Sequence, residues 1–598
     1  MQPELILTRP ARHFLPESYE LNAWADVQPF FDDLLSRSID SADDLRLWFA
    51  DRSELESYLS ENFAWRYIRM TCDTASAELT ERLNFFIEHI QPQMSELGDE
   101  LDKKALQSPF LVDLTAPEYV IMIRGMRQAS AIFRPENIPL QTELQTQERK
   151  YAALAGAMTV VIDTDGMREE VTLQKASDRL QSTIRAVRED AWFLIQQRRF
   201  ADHDPLDSLF TELVKLRHQM ALNAGFANYR DYAFAALGRF DYTPADCFTF
   251  HEAVAETVVP LVNRQMADRR AKLAKTDSSI TTLRPWDHKV DPDEQPPLVP
   301  FTTSNELTEK TIRCFDRIDT SGELGGYLRA MRRMDHLDLE SRKGKAPGGY
   351  NYPLEELGVP FIFMNATSSL RDLVTIVHEG GHAVHSFLTR ELPLKAFRNP
   401  PMEVAELASM AMELISMDHW DVFFEPNEHR TPEQAADELR RAKQQHLESI
   451  IVMLPWVATI DKFQHWVYEN PPGVANDHTL ADRRANWSRI FDQFSDTITD
   501  WSGLDHLKEY IWQKQLHLYE VPFYYIEYGI AQLGAIGVWR NYRENPELGL
   551  QSYKDALKLG YKAPIGDIYA AARVPFDFSK EHIGALMTFV QEEIDKLG

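Results

Sequence analysis

His378, Glu379 and His382 form a His-Glu-x-x-His motif. Two histidines four residues apart lie one turn apart on the same face of a helix, so both imidazoles can bind one tetrahedral metal ion. Glu379 lies about a third of a turn away, where its carboxylate can take a proton from a water without binding the ion. The motif therefore predicts hydrolysis at a zinc centre, with Glu379 as the general base.

The motif lies in residues 369–390, which have the pattern of an amphipathic helix. Ser369 followed by Asp372 is similar to a capping box at the start of this helix. Gly380 and Gly381 each cost a helix about 1 kcal/mol relative to alanine. Close approach of a substrate or of another backbone would explain them, whereas two packed core histidines would give no reason for them. The predicted apolar stripe consists of Leu373, Ile376, Val377, Val384, Phe387 and Leu388.

A third protein ligand is needed, and two acids are candidates. A third histidine ten residues after His378 would complete a known zinc pattern, but that position is Leu388. Residues 402–420 predict a second amphipathic helix, which carries Glu403, Glu406 and Glu413. Spacing leaves Glu403 and Glu406 nearly equal, with Glu406 slightly favoured because Glu413, seven residues later, shares its face.

Most other segments also repeat apolar residues at helical spacing. Two stretches differ. Residues 283–301 contain five prolines, which predicts an extended loop or a linker. Residues 344–365 combine glycine-rich turns with a β-prone run, which predicts a small sheet just before the motif helix. The fold class is therefore mainly α with a minor β element. The predicted helical runs are 77–90, 176–197, 206–222, 244–274, 304–335, 432–468 and 504–544.

Composition excludes several classes of function. The chain of 598 residues has a formal net charge of -28, which argues against binding nucleic acid or an anionic membrane. Its three cysteines are far apart, as in a protein with reduced, structural thiols. Residues 1–24 lack the pattern of a signal peptide, and no apolar run is long enough to span a bilayer. A cytoplasmic protein is expected.

Several separated motifs resemble the thimet oligopeptidase and oligoendopeptidase F family of zinc metallopeptidases, with the oligoendopeptidase F branch the nearer. The resemblance covers about residues 280–540. Its motifs are HEGGHAVHSF at 378–387, Glu406 with Ser409 and Glu413, RKGKAPGGYNYP at 342–353, GVPFIFMN at 358–365, the proline-rich loop at 283–301, and His517 with FYYIEY at 523–528.

The resemblance implies roles for named residues. It selects Glu406 over Glu403, so that His378, His382 and Glu406 would hold one Zn²⁺ per chain. His517, Tyr525 and Tyr528 would donate hydrogen bonds to the oxyanion of the reaction. The alternative for these three is core filling at helical spacing. Tyr524 matches the oligoendopeptidase branch, whereas the spacing of Tyr525 and Tyr528 matches the thimet branch.

The sequence also suggests roles for other polar residues near the motif. Glu413 could orient a ligand imidazole through its second ring nitrogen. His385 could be a packed histidine one turn beyond the site. Arg342, Lys343 and Lys345 could meet a substrate carboxylate or could be solvated loop charges.

The family also implies an architecture and a substrate class. The expected body is two-lobed and helical, with a deep channel that admits short unstructured peptides and excludes folded proteins. Residues 1–200 would form an amino-terminal helical lobe and residues 201–598 the catalytic domain. A monomer or a small homo-oligomer is expected. The alternatives are a dipeptidyl carboxypeptidase-type exopeptidase, which needs a cation for the substrate's terminal carboxylate, and a non-catalytic peptide-binding protein, which does not need Glu379.

Overall fold

The computed structural model describes residue 5 and residues 7–164, 167–469 and 478–598. Residues 1–4 and 6, part of the stretch in which the sequence predicts no signal peptide, lie outside the described residues. Among the described residues, no helix combines the length and the apolar composition needed to cross a membrane.

Helices form most of the described chain, as the sequence predicts. In chain order they are α1 (Trp24–Ser36), α2 (Ala42–Cys72), α3 (Ala77–His89), α4 (Gln91–Gln107), α5 (Pro117–Ile132), α6 (Asn137–Gly156), α7 (Leu173–Ser177), α8 (Arg185–Ala201), α9 (His203–Asn223), α10 (Tyr229–Ala236), α11 (Pro244–Thr257), α12 (Val259–Thr276), α13 (Ser304–Ile318), α14 (Glu323–Arg333), α15 (Leu370–Thr389), α16 (Lys395–Arg398), α17 (Met402–Met417), α18 (Pro432–Glu469), α19 (Leu480–Phe494), α20 (Asp505–Lys508), α21 (Leu516–Glu520), α22 (Ile526–Glu544), α23 (Pro546–Leu557), α24 (Ile565–Ala571) and α25 (Lys580–Asp595).

The chain divides into two compact units, each assembled from three stretches. The first unit comprises residues 1–131, 298–443 and 531–576, and the second comprises residues 132–297, 444–530 and 577–598. Neither unit follows the predicted division at residue 200. That division separates the chain by function, and it stays a prediction.

The first unit contains the small sheet that the sequence predicts before the motif helix. Its strands are β3 (Leu337–Glu340), β4 (Tyr350–Tyr352) and β5 (Phe361–Ala366). Strands β1 (Thr159–Thr164) and β2 (Met167–Thr172) form a separate hairpin in the second unit. The central strand β5 pairs in parallel with β3 and antiparallel with β4. Because β5 is buried and leads directly towards α15, the sheet fixes where that helix begins.

The charged loop between β3 and β4 is not fully solvated. The Lys345 side chain is fully buried. Its ammonium group donates to the backbone carbonyl oxygens of Asp338 and Glu340, at 2.9 and 3.0 Å, and to the Asp338 carboxylate. Arg342 pairs with the same carboxylate. Lys345 also donates to the Met364 carbonyl oxygen of β5, so it connects two strands and the reading of it as a solvated loop charge is wrong.

The predicted run 176–197 is not one helix. The chain leaves the helical conformation at Ser182 and Ile184, and α8 begins only at Arg185. The guanidinium group of the buried Arg188 donates to the carbonyl oxygens of Ser182 and Thr183, and it pairs with the buried Asp287 at 2.8 Å. These contacts stabilise the break, and Ile184, which would belong to the apolar stripe of a continuous helix, is 63% exposed.

Three other predicted runs are also series of shorter helices. The run 244–274 divides at Val258, just before Pro260. The run 304–335 divides at residues 319–322, where Gly322 has a φ of 76°. The run 504–544 contains α20, α21 and α22, separated by turns. The proline-rich loop at 283–301 is confirmed, since its only regular element is the 3-10 turn Pro285–Asp287.

Candidate metal centre and active site

Helix α15 carries the His-Glu-x-x-His motif and starts as the sequence predicts. The Ser369 hydroxyl accepts from the Asp372 N–H at 3.3 Å, and the Asp372 carboxylate accepts from the Ser369 N–H at 2.8 Å. This capping box satisfies N–H groups that the first turn leaves without helical partners. The predicted stripe from Leu373 to Phe387 is buried. The helix is therefore fixed at its start and along its apolar face.

Gly380 and Gly381 let neighbouring elements approach α15 closely. A Cβ atom on Gly381 would lie 2.6 Å from both the Ala408 carbonyl oxygen and the Ser409 Cα atom of α17. A Cβ atom on Gly380 would lie 2.7 Å from the Phe315 ring. Packing therefore explains both glycines. The backbone of α17 lies against the histidine-bearing helix, and this contact brings Glu406 beside the motif.

Gly381→Ala is therefore expected to destabilise the protein by about 1–3 kcal/mol, the usual cost of overpacking, and to weaken metal binding by moving α17. Gly98→Ala is the matched control, because Gly98 also lies in a helix, but a Cβ atom added there would meet no other atom within 4 Å. That change should stabilise the protein by roughly 0.5–1 kcal/mol. Thermal unfolding and zinc content of the two variants test this. Equal unfolding midpoints would contradict the close-packing argument.

His378, His382 and Glu406 bring two nitrogen atoms and one oxygen atom together. Their ligand atoms lie within 4.8 Å of one another. Glu406 Oε2 lies 3.5 Å from His378 Nε2 and 3.9 Å from His382 Nε2. In a tetrahedral zinc site, neighbouring nitrogen and oxygen ligands lie about 3.3–3.5 Å apart. The donor set and its spacing fit zinc, with only a small closure around the ion.

Each of these side chains is held by a further contact. His378 Nδ1 lies 2.6 Å from Glu413 Oε1, which leaves Nε2 directed to the centre. The Ser409 hydroxyl donates to Glu406 Oε2 at 3.3 Å, and His382 hydrogen-bonds with the backbone of Ala405. Outer contacts of this kind fix the ring orientation and strengthen ligands. Glu413 is thus in the orienting position that the sequence suggests.

The electrostatics of the centre favour a cation. Burial alone would lower the pKa of His378. The nearby carboxylates outweigh burial and raise this pKa to about 10, with Glu413 contributing most and Glu406 and Glu379 adding to it. Burial is also the main reason that the pKa of Glu379 is raised to about 7, and the nearby Glu406 and Glu413 charges add to it. Three carboxylates around two imidazoles therefore attract positive charge.

A second cluster of candidate residues lies within the second unit. The His517 ring is centred 4.8 Å from Tyr525, 5.9 Å from Tyr528 and 6.0 Å from Tyr524. His517 Nδ1 lies 2.7 Å from the Gln515 side-chain amide nitrogen. Burial lowers the pKa of His517 to about 4, so the ring is neutral at physiological pH. The structure thus brings these four residues together as one aromatic and polar cluster.

The turn that carries this cluster is held by residues that sequence reasoning missed. Phe523 has a φ of 68°, which is costly for a residue with a large side chain. Its N–H donates to Gln464 Oε1 at 2.7 Å, and its carbonyl oxygen accepts from Arg239. Arg239 also pairs with Glu527 at 2.8 Å. No local pattern marks Arg239 or Gln464, because their partners are far away in sequence.

Comparison with known proteins identifies the family. The family model described as peptidase family M3 matches residues 179–588, and the peptidase M3 N-terminal domain matches residues 14–133. The chain belongs to peptidase family M3. The resemblance predicted from the sequence is thereby confirmed, and so is the mainly helical fold class.

Individual proteins that are similar to this M3 chain are also peptidases by name. It is 22% identical over 382 residues to the oligoendopeptidase F homolog of Lactococcus lactis subsp. lactis, covering 63% of this chain and 58% of that protein. The plasmid-encoded oligoendopeptidase F of Lactococcus lactis subsp. cremoris is 27% identical over 198 residues, which are 32% of this chain and 30% of the relative. The matched part thus spans less than two thirds of these relatives. A structure described as a putative oligoendopeptidase F has a TM-score of 0.85 at 25% identity, covering 98% of this chain and 99% of the other.

Two further motif residues of the M3 chain lie outside the ligand group. Glu403 is buried one turn before Glu406. The pKa of Tyr569 is raised mainly by burial of its hydroxyl and secondly by the nearby charge of Glu403. His385 is buried, and burial lowers its pKa to about 4. It is a packed histidine beyond the centre, as the sequence suggests.

Proposed function

We propose that this M3 chain is a zinc-dependent oligopeptidase that hydrolyses internal bonds of short unstructured peptides. The observation that carries the proposal is the convergence of His378, His382 and Glu406 beside the buried Glu379. The three side chains would hold one zinc ion per chain. When bound, zinc supplies Lewis-acid activation of a water and of the scissile carbonyl group.

Glu379 is the proposed proton carrier. Its carboxylate accepts a proton from the attacking water and delivers that proton to the nitrogen of the leaving amine. The raised pKa of Glu379, about 7, supports both steps, because the same group must take and release a proton near neutral pH. A protein that only binds peptides would not need this base, so Glu379 favours catalysis over the binding alternative.

His517, Tyr525 and Tyr528 are the proposed hydrogen-bond donors to the oxyanion. The indole N–H of Trp456 donates to Gln515 Oε1 at 3.1 Å, which fixes the orientation of the Gln515 amide. The Gln515 NH₂ group must then donate to His517 Nδ1, so the proton of the neutral ring lies on Nε2. Burial raises the pKa of Tyr525, which keeps its hydroxyl protonated. Both groups can therefore donate to developing negative charge.

Endopeptidase activity is favoured over the exopeptidase alternative by the loop at residues 342–345. A carboxypeptidase needs a cation that holds the substrate's terminal carboxylate. Arg342 and Lys345 are instead paired with Asp338, and Lys345 is also bonded to backbone carbonyl oxygens. We further propose that the protein acts in the cytoplasm, as a monomer or a small homo-oligomer, on peptides that enter a channel closed to folded proteins.

Digestion of a mixture of short peptides, read by mass spectrometry, tests this function. We expect internal cleavage, and we expect peptides with amidated carboxyl termini to be cut as well as free ones. A chelator should abolish cleavage and leave the far-ultraviolet helicity nearly unchanged, because a core of this size folds without the ion. Restoring zinc should restore cleavage.

Two results would contradict the proposal. Release of dipeptides only from free carboxyl termini would favour the exopeptidase alternative. Full cleavage by protein shown to contain no metal would exclude the zinc mechanism.

A further inference from the structure

A second group of metal-binding side chains lies within the second compact unit. It consists of Cys247 on α11 and of Asp461 and His465 on α18. Their ligand atoms lie within 4.8 Å of one another, as those of the motif centre do. Asp461 and His465 are four residues apart, so both project from one face of α18. His251, four residues after Cys247, projects from the same face of α11.

The group is buried, and the His465 ring makes few polar contacts. Cys247 is 2% exposed, Asp461 0% and His465 1%. Among the residues that the structure describes, His465 Nδ1 has no hydrogen-bond partner, and His465 Nε2 has only its ion pair with Asp461. His465 Nε2 lies 3.4 Å from Asp461 Oδ2, close to the separation of two ligands on one tetrahedral ion. A buried polar atom without a good hydrogen bond costs about 1–3 kcal/mol, and an ion bound between His465 and Asp461 would offset that cost.

The carboxylate of Asp461 is oriented as a metal ligand usually is. His251 Nε2 lies 2.8 Å from Asp461 Oδ2, and the Gln464 amide donates to Asp461 Oδ1 at 2.8 Å. Such outer hydrogen bonds hold ligating carboxylates in place. The group therefore has three donor atoms and a supporting shell.

We infer that Cys247, Asp461 and His465 form a second, structural site for a divalent ion of the zinc class. A thiolate with an imidazole favours zinc over the hard cations magnesium and calcium. The thiolate and the carboxylate carry two negative charges, which the dication neutralises, so the buried site is electrically balanced.

This second site is connected to the turn that carries the proposed oxyanion donors. Gln464 donates to Asp461 with its amide nitrogen and accepts from the Phe523 N–H with its oxygen, at 2.7 Å. The His465 ring also packs edge-on against Phe523, with ring centres 5.2 Å apart. Since Phe523 has a positive φ, it needs such support. The ion would thus hold the turn between α21 and α22.

Metal content and cobalt substitution test the second site in the full-length protein. We expect about two zinc ions per chain rather than one. After replacement by Co²⁺, we expect a thiolate-to-cobalt charge-transfer absorption in the near ultraviolet. The centre at His378, His382 and Glu406 contains no sulfur, so this band reports the second site alone and is independent of the proposed peptidase function.

Variants assign the band. Cys247→Ser should abolish it and remove about one ion per chain, and His465→Gln should weaken it. Cys314→Ser is the matched control, because Cys314 is equally buried but lies outside the group; it should keep the band and both ions. A wild-type protein with one ion and no charge-transfer band would overturn the inference, and so would a band that survives in Cys247→Ser.

Discussion

Replacing Glu379 with glutamine is expected to lower kcat by at least the roughly 10²–10⁴-fold that general-base catalysis contributes. The substitution keeps the size of the side chain and removes its basicity. It does not change His378, His382 or Glu406, so zinc should stay at nearly normal occupancy. Peptide affinity should stay similar, because Glu379 acts mainly in the transition state.

The Glu379→Gln variant should therefore bind short peptides without cutting them. Steady-state kinetics, metal analysis and peptide-binding measurements on the same preparation check the three expectations together. Glu391→Gln is a suitable control for the charge change, because the Glu391 side chain is 86% exposed. Turnover like that of the wild type by a zinc-loaded Glu379→Gln protein would refute the mechanism.

Glu406→Ala is expected to weaken zinc binding by more than the roughly 10–100-fold that loss of an outer contact costs, because it removes a ligand. Peptidase activity should fall with the zinc. The motivation is the position of Glu406 Oε2, 3.5 and 3.9 Å from the two histidine nitrogens. Isothermal titration of the metal-free protein with zinc would give the loss in affinity directly.

Glu403→Ala provides the internal control for that result. Glu403 is also a buried glutamate on α17, one turn away, and it does not belong to the ligand group. We expect this variant to bind zinc nearly as the wild type does, although it can lose stability. If Glu403→Ala released the ion while Glu406→Ala retained it, the assignment of the third ligand would be wrong.

The motif helix could be predicted because its signals are local. The Ser369–Asp372 capping box and the apolar stripe lie within the helix itself. Spacing on α17, in contrast, left Glu403 and Glu406 nearly equal, because both lie on adjacent turns. What separates them in the structure is the contact of Gly381 with Ala408 and Ser409, which sets how α17 lies against α15.

One error in the helix predictions has a long-range cause. A helical run through residues 182–184 is interrupted by Arg188, whose partner Asp287 is about 100 residues away in sequence.

The hairpin β1–β2 was missed inside a region predicted to be helical. Its alternation of the buried Val160 and Ile162 with the exposed Val161 is the period-two signal that could have revealed it.

The turn at Phe523 was not predictable from its own residues. Its positive φ is maintained by Arg239 and Gln464, which come from other parts of the second unit. Motif resemblance could locate His517 and the tyrosines. It could not indicate which distant side chains order them.

Anomalous X-ray scattering from crystals at the zinc absorption edge tests the central claim most directly. We predict a strong anomalous peak within bonding distance of His378 Nε2, His382 Nε2 and Glu406, at about 2.0–2.2 Å from each. Absence of a peak among these three side chains in crystals of active protein, or a peak bonded to Glu403 instead of Glu406, would contradict the account.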